Sequence, residues 1–244
     1  MKAIILAAGY ATRLYPLTIN KPKALLTINE KPIINYIVEQ INTIDVVDEI
    51  YVVTNHKFID SFANWQNEIE SRAKITVLDD GTTSEQDRKG AIGDIAFVIQ
   101  KMNINDELLV VAGDNFFTYP LKNYYDFYKQ KDKDCVCVKV WNDEKTLRNF
   151  GIALLDQNNK VLDIEEKPEN PKSNTVVFAM YLYQKDTIPL FEKYLSQGNN
   201  PDAPGNFPAW LYKQKEVYAY TFKGECYDIG TPESYQEVQA LFQK

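Results

Sequence analysis

The chain has 244 residues, of which 45% are hydrophobic and 25% charged, and its formal net charge is −7. This size allows a substantial core, and the negative charge argues against non-specific nucleic-acid binding. No apolar stretch approaches the roughly 18 residues of a membrane span. We therefore expect a cytoplasmic protein of one domain, 1–244, with neither a nucleic-acid nor a membrane partner, and its oligomeric state stays open.

Strand and helix patterns alternate through the first half of the chain. Apolar runs predict strands at about 2–6, 49–54, 74–79 and 107–112. Helical patterns lie between and after them at about 33–44, 56–71, 88–102 and 121–131. Strands separated by helices indicate an α/β fold with a mostly parallel sheet and helices on both faces. Ligands in such folds bind beyond the carboxyl ends of the strands.

The pattern changes in the second half of the chain. Consecutive strands are predicted at about 134–140, 151–155, 160–166 and 175–183. Helices return at about 185–195, 205–213 and 232–242. The sheet should therefore be mixed, with one half of the domain at about 1–132 and the other at about 133–244.

Three cysteines, Cys135, Cys137 and Cys226, lie in strand-like segments. Their number is odd and their spacing does not match that of metal ligands. This pattern indicates buried free thiols rather than a disulfide or a zinc site.

The first predicted strand leads into a loop of small residues that also carries cations. Leu6 is followed by Ala7-Ala8-Gly9, and the cations Arg13 and Lys23 come soon after. Small residues let backbone N–H groups approach an anion, while Arg acts as a two-pronged phosphate clamp and Lys as a mobile point charge. The loop indicates a phosphate site, although a strand-to-helix turn with solvated basic residues fits equally well. The usual dinucleotide and P-loop motifs are absent.

A second polar site follows a buried strand. The run Leu108 to Ala112 ends in Gly113-Asp114-Asn115, which places a carboxylate at the end of the strand where ligands bind. Mg²⁺ prefers such oxygen ligands and bridges phosphates through one or two carboxylates and several waters. An Asp that caps the following turn is the alternative interpretation.

The loop resembles the signature of the sugar-phosphate nucleotidyltransferases, in particular the short, thymidylyltransferase-like forms. Their pattern is Leu-Ala-x-Gly-x-Gly-Thr-Arg-Leu-x-Pro with a Lys about ten residues after the Arg. The matching residues here are Gly9, Thr12, Arg13, Leu14, Pro16 and Lys23. Ala11 stands where the pattern has its second Gly, and a non-Gly residue is disfavoured at positive φ.

The resemblance continues in order along the chain. It implies that Asp114 and Asp228 bind the metal, and that Gly90 packs against the nucleotide base. In Phe150-Gly151-Ile152 and Ile164-Glu165-Glu166-Lys167-Pro168, it implies that Gly151 and Glu166 line the sugar pocket and that Lys167 grips the sugar 1-phosphate. Asn115 is expected to bind substrate as well.

The resemblance therefore implies a Rossmann-like, nucleotide-diphospho-sugar transferase fold and a Mg²⁺-dependent reaction. An NTP and a sugar 1-phosphate would give an NDP-sugar and pyrophosphate. The implied catalytic residues are Arg13, Lys23, Asp114 and Lys167. The implied nucleotide-binding residues are Leu6, Ala8, Gly9, Ala11, Thr12, Arg13, Lys23 and Gly90.

Other functions stay open. Small members of the same fold act on phosphocholine or another non-sugar phosphate with CTP, and a catalytically idle sugar-nucleotide sensor is a further alternative. Gln86 is out of register with the base-reading Gln of the family, and Ala179 replaces a Gly common in sugar-specific members. The base and the sugar are therefore not predicted. The single His, His56, is expected to cap a helix or lie on the surface rather than to catalyse.

Overall fold

The computed structural model describes residues 1–143 and 147–242, without the side chain of Asp228. Its strands are β1 (Lys2–Leu6), β2 (Thr27–Ile28), β3 (Lys31–Pro32), β4 (Glu49–Thr54), β5 (Lys74–Asp79), β6 (Leu108–Ala112), β7 (Asn115–Phe117), β8 (Asp134–Val140), β9 (Gly151–Leu155), β10 (Val161–Glu166), β11 (Thr175–Tyr183), β12 (Val217–Thr221) and β13 (Cys226–Asp228). Its α-helices are α1 (Ile33–Asn42), α2 (Ile59–Glu68), α3 (Ala91–Lys101), α4 (Leu121–Lys131), α5 (Ile188–Ser196), α6 (Asn206–Leu211) and α7 (Pro232–Phe242).

The chain forms two compact units that interleave along the sequence. Among the described residues, unit 1 takes Met1–Lys89, Val111–Lys122 and the segment from Gly224 onward. Unit 2 takes Gly90–Val110 and Asn123–Lys223. The expected single domain with halves meeting near residue 132 stays a prediction.

Unit 1 contains a parallel sheet in the order β1-β4-β5. The register places Leu6 at the end of β1 beside Val53 of β4. Ala3, Ile4 and Ile5 are fully buried, which is the burial expected of a parallel strand covered on both faces. Helix α1 buries one apolar stripe, formed by Ile33, Ile34, Ile37, Val38 and Ile41.

Two short antiparallel pairs complete unit 1. Strand β2 pairs with β3, and β13 pairs with β7 so that Asp228 stands opposite Asn115. Helix α7 is tied to the first pair because the Tyr235 hydroxyl donates to the Thr27 carbonyl at 2.7 Å. The late part of the chain thereby returns to the elements formed by its beginning.

Unit 2 is mostly antiparallel. Strand β11 pairs with β8 and β9, β10 pairs with β9, and β12 runs parallel to β8. A row of buried aromatic side chains covers these strands, and the Tyr124 hydroxyl donates to the Cys135 carbonyl at 2.6 Å. The rings of Phe191 and Phe207 stack with centroids 3.8 Å apart, which joins α5 to α6.

The main predicted strands are observed, and most predicted helices begin or end a few residues inside their expected bounds. The sequence pattern missed five short strands, β2, β3, β7, β12 and β13. The three cysteines are buried, as predicted, and no disulfide joins them in the described part of the chain. Among the described residues, no helix is both long enough and apolar enough to cross a membrane.

Candidate functional site

A cavity of about 200 Å³ opens at the end of β1 in unit 1. It brings together six of the residues predicted to bind nucleotide or metal, namely Leu6, Gly9, Ala11, Arg13, Lys23 and Asp114. Five further residues line it: Ala7, Leu14, Ala24, Gly113 and Gly230. Ala8 and Thr12, also predicted to bind nucleotide, are not among the described lining residues.

Ala11 adopts the left-handed backbone conformation, with φ 49° and ψ 42°. This is the position at which the family pattern has a Gly, and left-handed geometry is costly for other residues. The Ala11 carbonyl accepts hydrogen bonds from the Thr18 hydroxyl at 2.7 Å and from the Leu14 backbone N–H at 3.0 Å. These bonds stabilise the turn from which Arg13 reaches the cavity lining.

Arg13 supplies the exposed cation of the cavity. It lies in the one-turn 3₁₀ helix Thr12–Leu14, and its neighbour Leu14 is buried and anchors that turn. Within residues 1–143 and 147–242, the structure gives the Arg13 guanidinium no hydrogen-bond partner. Its donors are therefore available to an anion in the cavity.

Lys23 and Asp114 form an ion pair on the wall of the cavity. Lys23 Nζ lies 2.8 Å from Asp114 Oδ2, and the side chains are 13% and 38% exposed. Lys23 begins a short 3₁₀ helix after Pro22, and this helix fixes the backbone position from which the Lys23 side chain extends. The pair places one positive and one negative group side by side at the site.

Gly113 brings the strand end carrying Asp114 close to β1. Its backbone N–H donates to the Leu6 carbonyl at 2.8 Å. A Cβ at Gly113 would lie only 2.9 Å from the same carbonyl oxygen, so a side chain does not fit. Gly113 was not among the predicted binding residues, although its place directly before Asp114 at the end of a strand could have identified it.

The chemistry of Asp114 fits a Mg²⁺ ligand. Its carboxylate lines the cavity, and the register of β7 with β13 places the backbone of Asp228 opposite Asn115, the residue next to Asp114. One or two carboxylates are what Mg²⁺ ordinarily takes from a protein that also binds phosphates. No cluster of three or more acidic, His or Cys ligands occurs in the described part of the chain. The side chain of Asp228 lies outside that part.

Asn55 supports the loop and was not predicted. It is fully buried at the end of β4, and its Nδ2 donates to the Ala8 carbonyl at 2.9 Å. Its Oδ1 accepts the Phe58 backbone N–H at 3.2 Å and so caps the turn His56–Phe58. A polar residue directly after a buried strand was the available signal. The Ala8 carbonyl thus takes part in the support of the loop, and its predicted contact with nucleotide stays a prediction.

Asn115 and His56, two further residues considered in the sequence analysis, are not among the described lining residues of the cavity. Asn115 is 5% exposed, and its Nδ2 has no hydrogen-bond partner among the described residues. His56 is exposed, with Nδ1 2.7 Å from Asp79 Oδ2, and this hydrogen bond raises the pKa of the imidazole. His56 lies outside the cavity lining, in agreement with the expectation of a surface role.

Gly151 and Glu166 come together in unit 2. They are cross-strand partners of β9 and β10, and a Cβ at Gly151 would lie 2.9 Å from Glu166 Oε2. Burial raises the pKa of the Glu166 carboxyl, and the neighbouring Lys167 partly opposes this. The Glu166 carboxylate makes no hydrogen bond to another described residue. A partly buried acceptor in that state is suited to ligand hydroxyl groups.

Lys167 follows directly and has a left-handed backbone, with φ 49°. Its backbone N–H donates to the Phe150 carbonyl at 3.1 Å, which links the Glu166-Lys167 turn to the residue before Gly151. Non-Gly residues in this conformation carry strain that the surroundings must compensate. The turn therefore sets the direction in which the Lys167 side chain leaves the strand.

Gly90 also belongs to unit 2 and has φ 77°. A Cβ there would lie 2.6 Å from the Pro201 carbonyl oxygen and 2.8 Å from Asp202 Cα. The next two backbone N–H groups, of Ala91 and Ile92, donate to the carbonyls of Asp202 and Pro201 at 3.1 and 2.9 Å. Gly90 is thus required for packing against this loop, and its expected contact with a base stays a prediction.

The model of the nucleotidyl transferase family matches residues 2–244. The chain belongs to the nucleotidyl transferase family. This confirms the resemblance that the motifs indicated. The bifunctional protein GlmU of Methanocaldococcus jannaschii is 34% identical over 235 residues, which cover 95% of this chain and 52% of that protein. Glucose-1-phosphate adenylyltransferase of Clostridium novyi is 27% identical, over 96% of this chain and 64% of its own length.

Solved structures show the same fold as this nucleotidyl transferase. UDP-glucose pyrophosphorylase in complex with UDP-glucose matches with a TM-score of 0.83 and 24% identity, over 99% of this chain and 97% of that chain. The predicted α/β fold with a mixed sheet is thereby confirmed. By contrast, the chain spans only 52% and 64% of the two sequence relatives described above.

Proposed function

We propose that this protein transfers a nucleotidyl group from an NTP to a sugar 1-phosphate, giving an NDP-sugar and pyrophosphate, with Mg²⁺. The observation that carries the proposal is the cavity in which Gly9, Ala11, Arg13, Lys23 and Asp114 come together. Family membership supports it, as do relatives named for glucose-1-phosphate and UDP-glucose chemistry.

The residues of unit 1 would hold the nucleotide. The loop after β1 offers small residues beside the cavity, so that backbone N–H groups approach the phosphates closely. Arg13 would clamp the phosphates with its guanidinium fork, and Lys23 would neutralise charge on them as the pyrophosphate leaves. Asp114 keeps the Lys23 ammonium in place before substrate binds.

Asp114, with Asp228 as its proposed partner, would hold the Mg²⁺. When bound, this ion neutralises charge on the phosphates and favours the in-line geometry. Asn115, beside Asp114, has a buried and unpartnered Nδ2 that would donate to substrate. Arg13 and Lys23 would therefore contact phosphate, and Asp114 and Asp228 would contact the metal.

The residues of unit 2 would hold the sugar 1-phosphate. Glu166 would accept hydrogen bonds from sugar hydroxyls, beside the open surface of Gly151. Lys167 would bind the phosphate and reduce its repulsion from the nucleotide. The attacking phosphate oxygen is already anionic, so the reaction requires no side-chain base, and catalysis consists of positioning and charge neutralisation.

The test is pyrophosphate release with Mg²⁺ from a matrix of five NTPs against glucose 1-phosphate, other sugar 1-phosphates and phosphocholine. We expect signal with a sugar 1-phosphate. Lys23→Met should remove it, whereas Lys74→Met, which changes an exposed lysine at the start of β5, should not. Signal with phosphocholine alone would overturn the sugar assignment, and silence across the matrix with intact NTP binding would overturn the activity.

A further inference from the structure

The backbone conformation of Gly205 does not explain why this residue is a glycine. It precedes helix α6 with φ −68° and ψ −17°, an ordinary right-handed helical conformation. Every residue type adopts this conformation readily, and Ala favours it over Gly. The reason for a Gly at this position must therefore lie in the space around it.

The Glu166 carboxylate occupies that space. A Cβ built on Gly205 would overlap Glu166 Oε2 and would lie 2.9 Å from Glu166 Cδ. On another side the same Oε2 lies against Gly151, where a Cβ would be 2.9 Å away. Two glycines from separate parts of unit 2 thus leave room for one partly buried carboxylate.

The backbone around Gly205 is held in place, so it cannot easily give way to an added methyl group. The carbonyls of Pro201 and Asp202 accept hydrogen bonds from the first turn of α3, and the Asn200 carbonyl accepts one from the Tyr194 hydroxyl at 2.7 Å. The Gly205 carbonyl accepts the Ala209 N–H at 3.2 Å. The flexible end of the Glu166 side chain is therefore the group that would move.

We propose that Gly205 is a positioning residue. Because it has no side chain, the Glu166 carboxylate can occupy the position from which it accepts hydrogen bonds from the sugar hydroxyls. This inference rests on the proposed function, in which Glu166 accepts hydrogen bonds from the sugar. Gly205 acts only through Glu166 and touches neither reacting phosphate. It should therefore affect the KM for the sugar 1-phosphate and leave the KM for the NTP unchanged.

The test compares Gly205→Ala with Gly198→Ala. Gly205→Ala should raise the KM for the sugar 1-phosphate about tenfold or more, the loss expected when a hydrogen bond to a charged acceptor is misplaced. Its KM for the NTP should change less than about twofold and its Tm should not fall. Gly198 has φ 74° and open space around its Cβ position. Its Ala variant should therefore lower Tm and leave both KM values unchanged.

Glu166→Asp distinguishes a positioning role of Gly205 from a general disturbance of the local structure, because the Asp side chain is one methylene shorter and its carboxylate lies farther from Gly205. In the Asp background, Gly205→Ala should raise the sugar 1-phosphate KM by less than about twofold. An equal rise in both backgrounds, or no rise in the Glu background, would overturn the role of Gly205 while the wild-type activity stands. Absence of turnover by the wild type with every sugar 1-phosphate would instead overturn the proposed function, and this inference with it.

Discussion

Asp114→Asn should abolish turnover and leave the fold almost unchanged. The substitution keeps the size of the side chain and removes the charge that Lys23 contacts at 2.8 Å. At that distance, two unit charges in a medium with the dielectric constant of water attract by about 1.5 kcal/mol. Because Asp114 is 38% exposed, solvent screening and side-chain entropy reduce the net stabilisation to about 1 kcal/mol at most.

The expected loss of transition-state stabilisation is several times larger than the expected loss of folding stability. A loss of about 1 kcal/mol lowers the Tm of a protein of this size by about 2–4 °C. Loss of a metal-binding carboxylate removes several kcal/mol of transition-state stabilisation, and about 4 kcal/mol corresponds to a thousandfold fall in kcat/KM. Thermal unfolding followed by circular dichroism measures the first effect, and pyrophosphate release at varied Mg²⁺ measures the second.

Asp48→Asn is the matched control. Asp48 Oδ2 lies 2.9 Å from Lys2 Nζ in the same unit, and Asp48 is not among the described lining residues of the cavity. The control should show the small change in Tm and retain activity. An Asp114→Asn protein with more than about a tenth of wild-type kcat and an unaltered Mg²⁺ dependence would refute the metal assignment.

Three further predictions concern two left-handed backbone positions and the partly buried Glu166 carboxylate. Ala11→Gly should raise the free energy of unfolding by about 0.5–1 kcal/mol in urea titrations. The substitution relieves left-handed strain of about 1–2 kcal/mol, which exceeds the free-energy cost of ordering the more flexible Gly on folding. Lys167→Asn should raise the KM for the sugar 1-phosphate at least about tenfold with unchanged Tm, because Asn tolerates the left-handed backbone but lacks the cation. Glu166→Gln should stabilise the protein at neutral pH. The pKa of Glu166 is raised in the folded state, so ionisation costs stability above that pKa, and the advantage of Gln should disappear as the pH falls to about 4.

Each of these expectations has a contrary result. A less stable Ala11→Gly protein would mean that the methyl group makes contacts worth more than the strain. An unchanged sugar 1-phosphate KM for Lys167→Asn would remove Lys167 from the phosphate site. A pH-independent stability difference between Glu166→Gln and wild type would show that the carboxyl titrates normally in the folded protein.

Local patterns in the sequence were sufficient to predict the main strands, most helices and the two strand-end motifs in unit 1. Burial of whole strands such as β1 makes their apolar runs easy to recognise. Strands β2, β3, β7 and β13 were missed because runs of two or three residues carry little periodicity. Strand β12 was also missed, although it has the same length as β1. Strands β7 and β13 also pair with each other over a long distance in the sequence, whereas β2 and β3 form a local pair.

The sequence alone determined the residue types at the candidate site, because small residues followed by cations can be recognised without knowledge of the fold. It identified Gly9, Arg13, Lys23 and Asp114 without information on their neighbours. Only the tertiary structure decided that Lys23 pairs with Asp114, 91 positions away, and that Asn55 supports the loop through the Ala8 carbonyl. Such contacts join residues distant in the chain, and no local pattern encodes them.

The glycines illustrate the same division. The Gly-Asp motif marks Gly113 in the sequence, whereas Gly205 stands in a loop whose Asn, Pro and Gly content conceals its role. Its requirement follows from the Glu166 carboxylate, which reaches it from strand β10. Sequence patterns express the conformational preferences of a residue and its immediate neighbours, whereas excluded volume between distant segments exists only after the chain has folded.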